Sequence, residues 1–309
     1  MKVSRPSPRR RIRHTVAGLV SAAVIVGSGT TASAVPLNFE DLVGRATGYT
    51  VIGRSDVARS TTAKFTNVAT DSGRTVDARI VATVKAETDF GEVGNSGRHG
   101  DPGFIPDYRP SGTRDGGDLG IFYYGNGINS TENGVRLGFE FFDGTGAQSG
   151  TFSNAIEVSE LNFAIYDVDG ESRAKGGWSD QSEFFRAFVS DGLQSYQLGN
   201  TPQALTAEQE GDVITFRGPN KNFSESDATG AVILKYANVS SFDLDFGSVQ
   251  SYGTVQNAVF SAFDGDLSLV DLRNFRDPMT PQAVPGPLSL PLLAAGVGLL
   301  GFLRRRNRT

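Results

Sequence analysis

A chain of 309 residues with no cysteine and a formal charge of −5 excludes structural disulfides, thiolate metal sites and cysteine nucleophiles. The charge is unevenly spread: ten of the 29 basic residues lie before Val35 or after Leu303, and all 34 acidic residues lie between those positions. That middle stretch carries a net charge near −15, which excludes the basic footprint of a nucleic-acid binder and a polybasic patch for anionic lipid.

The chain opens with Lys2, Arg5, Arg9, Arg10, Arg11 and Arg13 and no acid, followed by an apolar, small-residue stretch from Thr15 to Gly29 and then Ala32-Ser33-Ala34. A basic start, an apolar run too short to span a bilayer and a small-x-small site together make a secretory signal peptide over residues 1–34. Ala32 and Ala34 form the predicted cleavage site, and Val35 is the expected mature N-terminus. Arg9-Arg10-Arg11-Ile12 also fits a twin-arginine signal loosely, so both export routes stay open.

Residues 35–280 are long enough for one substantial core, and period-two alternation dominates them. From Thr75 to Lys85, Val76, Ala78, Ile80, Ala82 and Val84 fall on one face, with Asp77, Arg79 and Lys85 on the other. Further strands are expected over 135–142, 158–168, 183–190, 212–217, 231–239, 241–246, 255–263 and 266–270. Residues 90–120, rich in Gly, Asp and Pro, read as a long surface loop. Just beyond it, Tyr123 and Tyr124 fit a strand with one ring buried, and Gly144 to Ser149 fit a hairpin turn. A short helix is expected over 201–210, where Thr206-Ala207-Glu208 resembles a helix start. The expected fold is all-β, an antiparallel sandwich of the jelly-roll kind.

The densest chemistry is Tyr166-Asp167-Val168-Asp169-Gly170-Glu171. Asp167 and Asp169, two apart at a strand end, can aim oxygens at one hard cation, and Gly170 permits a turn that brings in Glu171. Calcium takes six to eight such oxygens, and Asp180 and Glu183 are the nearest further donors. The competing reading is that Asp167 and Asp169 end a strand and cap turn amides. Asp264-Gly265-Asp266 is a second, sparser acidic turn. Trp178, in the loop after the acidic turn, is the candidate sugar contact, because its ring offers an apolar face with a polar handle.

Nucleophilic catalysis has little to stand on. The histidine outside the leader is His99, which shares one loop with Ser96 and Asp101 instead of a rigid scaffold. Neither Gly-x-Ser-x-Gly nor His-Glu-x-x-His occurs. Carboxylate pairs for a glycosidase, Glu87/Asp89 or Glu140/Asp143, arise readily by chance in so acidic a chain.

The other end begins Val284-Pro285-Gly286-Pro287, continues as an uncharged apolar run from Leu288 to Leu303, and closes on Arg304-Arg305-Arg306. The prolines break what precedes, the run makes one short C-terminal membrane helix, and the arginines hold its end on the cytoplasmic side. A simple membrane anchor shows the same physics. The order resembles the PEP-CTERM sorting tail, in its Val-Pro-x-Pro form. That resemblance implies an exosortase-type processing enzyme as partner, which removes the tail after transient anchoring, and exopolysaccharide as the associated ligand class. The runs GVRLGFEFFDG, FSNAIEVSELNFAIYDVDGE and FFRAFVSDG are similar to β-rich domains common among such proteins. The implied role is a surface or matrix binding or structural module, with calcium as the candidate stabilising ion; the alternative is a polysaccharide hydrolase or lyase using paired carboxylates.

Overall fold

Alternating side chains make strands through most of the chain described by the computed structural model, which covers residues 34–45, 59–84, 88–90, 103–108, 117–125, 132–171, 180–218, 221–224, 227–252, 257–267 and 270–283. All of these lie in the second of the chain's two units, which begins at Ser33. The strands are β1 (Leu42–Arg45), β2 (Arg59–Asp71), β3 (Arg74–Val84), β4 (Thr88–Phe90), β5 (Phe104–Tyr108), β6 (Asp118–Gly125), β7 (Glu132–Asp143) and β8 (Val158–Tyr166). They continue as β9 (Gly170–Glu171), β10 (Asp180–Phe188), β11 (Leu193–Leu198), β12 (Thr206–Glu210), β13 (Val213–Arg217), β14 (Val232–Val239), β15 (Ser241–Tyr252) and β16 (Asn257–Asp264).

Two antiparallel sheets result. The larger has nine strands, in the order β1-β2-β3-β7-β15-β10-β13-β12 with β9 also on β10. The smaller has seven, in the order β11-β14-β8-β16-β6-β4 with β5 also on β6. Within them β7-β15-β10-β13 lies against β6-β16-β8-β14, and the chain changes sheet at every step through these eight strands except β10 to β13. This is jelly-roll connectivity.

The core between the sheets is built on phenylalanine. Phe139 and Phe242 of the larger sheet stack at 4.7 Å, Phe163 and Phe263 of the smaller at 4.3 Å, and Phe163 meets Phe242 across the gap at 5.5 Å. Each such pair adds about 0.5–1.5 kcal/mol beyond its burial. A second apolar cluster sits on the outside of the smaller sheet. There Ala164, Ala231 and Ala262 leave room for Tyr166, Ile233 and Phe275, with Leu267 and Val270 packed against them.

The C-terminal segment therefore belongs to the fold. It pairs with the free edge of β11, where Tyr196 and Met279 exchange backbone bonds of 3.0 and 2.8 Å. It then reaches β12, where the Gln209 side chain accepts from Gln282 N at 2.8 Å and donates to Gln282 O at 2.9 Å. At the other terminus Val35 is buried, and its N donates to Glu160 O at 2.9 Å. Ala32, Val284 to Pro287, the apolar run 288–303 and Arg304 to Arg306 lie outside the described residues.

Three local expectations give way. The helix expected over 201–210 is replaced over Thr206–Glu210 by strand β12. Thr206, Glu208 and Glu210 point out there, Ala207 packs on the core, and Gly211 at φ 58° closes the hairpin to β13. Tertiary pairing overrides a local capping signal. The strand expected over 266–270 does not extend the sheet: the ladder stops at Asp264, and Leu267 and Val270 turn onto the outer cluster. The segment 90–120 contains β5 and the start of β6, with Phe104 buried.

Candidate functional site

The antiparallel registers place the last residues of β3, β6, β8, β13 and β15 and the first of β4, β7, β10, β14 and β16 at one end of the sandwich. The acidic turn is part of that end. The chain leaves β8 at Tyr166, and Asp167 takes a left-handed φ of 62°, a conformation that aspartate tolerates better than most residues. Val168 N donates to Gly230 O at 3.0 Å. Gly170 then enters β9 opposite Ser182, where a Cβ would stand 2.4 Å from Gln181 O. Gly218 presses against the other side of the turn, and a Cβ there would lie 2.4 Å from Val168 O. Side chains are excluded from both positions by backbone.

Glu183 is where β10 changes partners. β9 pairs with Gln181 and Ser182, and β13 begins its pairing at Phe184. Between them Glu183 N donates to Asp169 O at 3.1 Å and Glu183 O accepts from Gly218 N at 2.9 Å. The Glu183 side chain shares the inner face with Phe185 and Ala187. Gln181 Nε2 donates to its carboxylate at 2.8 Å and Asp169 N at 3.4 Å. The Asp169 carboxylate accepts from Gly170 N and, at 2.5 Å, from Phe223 N.

Asp169 is 3% exposed and Glu183 8%. Burial pushes the Asp169 carboxyl up to about 6, against the pull of the Phe223 and Gly170 amides. Burial, then the charges of Asp169 and Asp167, hold Glu183 well above the usual carboxylate range. Two carboxylates that share a dry site cannot both ionise without a counter-charge.

Of the predicted site residues, the structure thus brings Asp167, Asp169 and Glu183 within electrostatic reach of one another. Asp169 also caps turn amides, as the competing reading holds. Glu171 sits opposite Gln181 on β9, and Asp180 opposite Tyr252 at the start of β10. Among the described residues no three acidic or histidine side chains are placed to hold a metal ion together. Trp178, Ser96, His99, Asp101 and Glu87 lie outside the described residues.

Glu140 pairs with Arg79, and Asp143 Oδ1 caps Thr145 N at 2.9 Å, so both members of that carboxylate pair hold structural contacts. Asp264 Oδ1 accepts from Asp266 N at 2.9 Å. Asp266 lines a cavity of about 410 Å³ with Asp118, Asp41 and Asn67, at the far end of β16 from the acidic turn.

Sequence reasoning missed Gln181, Ser248, Asn133 and Tyr123. Ser248 stands opposite Glu183, and Asn133 opposite Ser248, so Asn133, Ser248 and Glu183 form one cross-strand row on the inner face. The next row is Val135, Phe246 and Phe185. The available signal was a polar residue at an inward position: Ser248 continues the alternation of Phe242, Leu244 and Phe246.

The sequence matches no protein-family model and no curated protein. Among solved structures, the N-terminal domain of a Streptococcus gordonii adhesin is similar at 11% identity and a TM-score of 0.41, over 75% of this chain. This chain covers 64% of that domain's length. A carbohydrate-binding module described as promiscuous, from the β-sandwich superfamily, aligns over 75% of this chain and 83% of its own at 14% identity and a TM-score of 0.11. Neither likeness bears on function. What the chain's own strands establish is an all-β antiparallel sandwich.

Proposed function

We propose that the chain is an exported surface or matrix protein whose sandwich serves as a binding or structural module for envelope polysaccharide. The observation that carries this reading is the end of the sandwich where strand ends of both sheets gather beside a turn clamped by Gly170 and Gly218. Loops held by a rigid β scaffold are the usual carriers of binding residues. In the sequence Trp178 stands between β9 and β10, and its ring supplies the stacking face for a sugar.

The ends of the sequence supply the address. A signal peptide cleaved after Ala34 frees Val35. The Val284-Pro285-Gly286-Pro287 start, the apolar run and the arginine cluster hand the chain to an exosortase-type enzyme. Support comes from the order of basic, apolar and small residues over 1–34 and of prolines, apolar run and arginines over 284–306.

The test is a glycan-array profile of residues 35–283, beside mass spectrometry of the protein from its native cell. Binding to polysaccharide fragments that Trp178→Ala abolishes is expected, with a natural C-terminus near Pro285. Absence of glycan binding removes the ligand class, and an intact Arg304 to Thr309 on the surface protein removes exosortase processing.

A further inference from the structure

An ionised carboxylate inside a protein needs a counter-charge or it is strongly destabilising. Among the described residues, the groups that act on Glu183 are the charges of Asp169 and Asp167 and hydrogen bonds from Gln181 and the Asp169 amide. Those acting on Asp169 are the Phe223 and Gly170 amides. None of these described groups is a cation, and an ion from solution can supply the counter-charge.

The opposite sheet adds a second, independent sign. Tyr123 on β6 is 1% exposed, and its hydroxyl faces the row: Glu183 is the charge that acts on it most strongly, and the Ser248 hydroxyl lies beside it. Ser248 is thus the hydrogen-bonding neighbour of that phenol, yet no hydrogen bond of normal geometry closes on its oxygen. A buried hydroxyl short of good partners is destabilising, and its oxygen keeps an open lone pair for a cation.

We propose that this end of the sandwich interior binds one hard cation of the calcium class between the two sheets. The Asp169 and Glu183 carboxylates supply two negative charges, and neutral oxygens of Gln181, Ser248 and Tyr123 complete the shell. Gln181 is oriented for this, because its Nε2 is already given to Glu183 and its Oε1 remains. Such a ligand set has the all-oxygen chemistry that calcium selects. The ion ties β6 to β10 and so locks the turn beneath the binding loops. This site is separate from the polysaccharide reading: glycan binding can fail while the ion binds, and the reverse.

The test is the melting temperature of the full chain in excess calcium and in excess chelator, with calcium affinity from titration calorimetry. With calcium at about a hundred times Kd, the wild type should melt roughly 5–10 °C higher than in chelator. Glu183→Gln should lose that shift, and Asp167→Asn, outside the row, should keep it. Tyr123→Phe should fold normally in chelator and bind calcium roughly fivefold more weakly. A wild type indifferent to calcium would overturn the site and leave a proton as the counter-charge. So would a full shift in Glu183→Gln, or loss of the shift in Asp167→Asn with Tyr123→Phe unaffected, which moves the ion to the turn. If Glu183→Gln does not fold, the affinity of Tyr123→Phe decides, and an unchanged value counts against the site.

Discussion

On the outer face of the larger sheet, Arg136 meets Asp245 through bonds of 2.6 and 2.9 Å, and Arg186 meets Glu132 at 2.7 and 3.0 Å. Their guanidiniums also lie over rings, Arg136 over Phe188 at 5.1 Å and Arg186 over Phe184 at 4.4 Å. Three residues before Arg186 on the same strand, Glu183 turns inward and meets Asp169, and among the described residues no arginine or lysine acts on either. The two faces of β10 thus solve one electrostatic problem differently. At the surface, planar guanidiniums and carboxylates neutralise each other where water screens what is left. Inside, Glu183 shares its face with Phe185 and Ala187, and the proposed cation takes the part that guanidiniums take outside.

The contrast breaks most completely if the turn itself is lost. Gly218→Ala drives a methyl group into Val168 O and the Asp169 backbone. It should be destabilising by about 3 kcal/mol or more, a melting-point fall on the order of 10 °C, and should abolish calcium binding. Next in size is Arg136→Ala, which leaves Asp245, 5% exposed, without its partner. The half-exposed arginine limits the effect to about 1 kcal/mol, read as a fall of roughly 2–4 °C. Glu183→Gln should go the other way in chelator, melting at or above wild type, because it removes an ionisable group whose charged form burial and Asp169 disfavour. A fall as large as that of Arg136→Ala would mean that Glu183 is an ordinary hydrogen-bonded core acid. Smallest is Gln209→Ala at the strap to Gln282, expected to cost about 0.5–1 kcal/mol. It should speed amide exchange at Met279 and Gln282 and leave the acidic end untouched.

Much of the sandwich was legible because its strands alternate strictly. Val76 to Val84 on β3 and Phe242 to Phe246 on β15 each state their inner face in their own sequence, and the structure buries them as read. Strand β2, RSTTAKFTNVATD, was not read: threonine and lysine fill its outward positions, and a register shift between Phe65 and Ala69 interrupts its period. Strand β12 was misread because Thr206-Ala207-Glu208 is a plausible helix start, and only the hairpin at Gly211 decides for a strand.

The candidate site divides the same way. Asp167, Asp169 and Glu183 stood out as acids close in sequence to one turn. Ser248, Asn133 and Tyr123 arrive from three other strands, far away in the chain, through registers that no local pattern encodes. In the sequence the acids looked like a cation loop at a strand end; folding turns Glu183 inward because its position on β10 is an inner-face one, and buries Asp169 in the turn between β8 and β9.

The measurement that bears most directly on this contrast is the metal content of the full chain after exhaustive dialysis against trace calcium, by elemental mass spectrometry. One calcium ion per chain is expected for the wild type and for Arg136→Ala. Asp169→Asn/Glu183→Gln should carry none while keeping the wild-type circular dichroism spectrum. A wild type free of calcium, or a double variant that still holds an ion, would contradict a cation at the buried end.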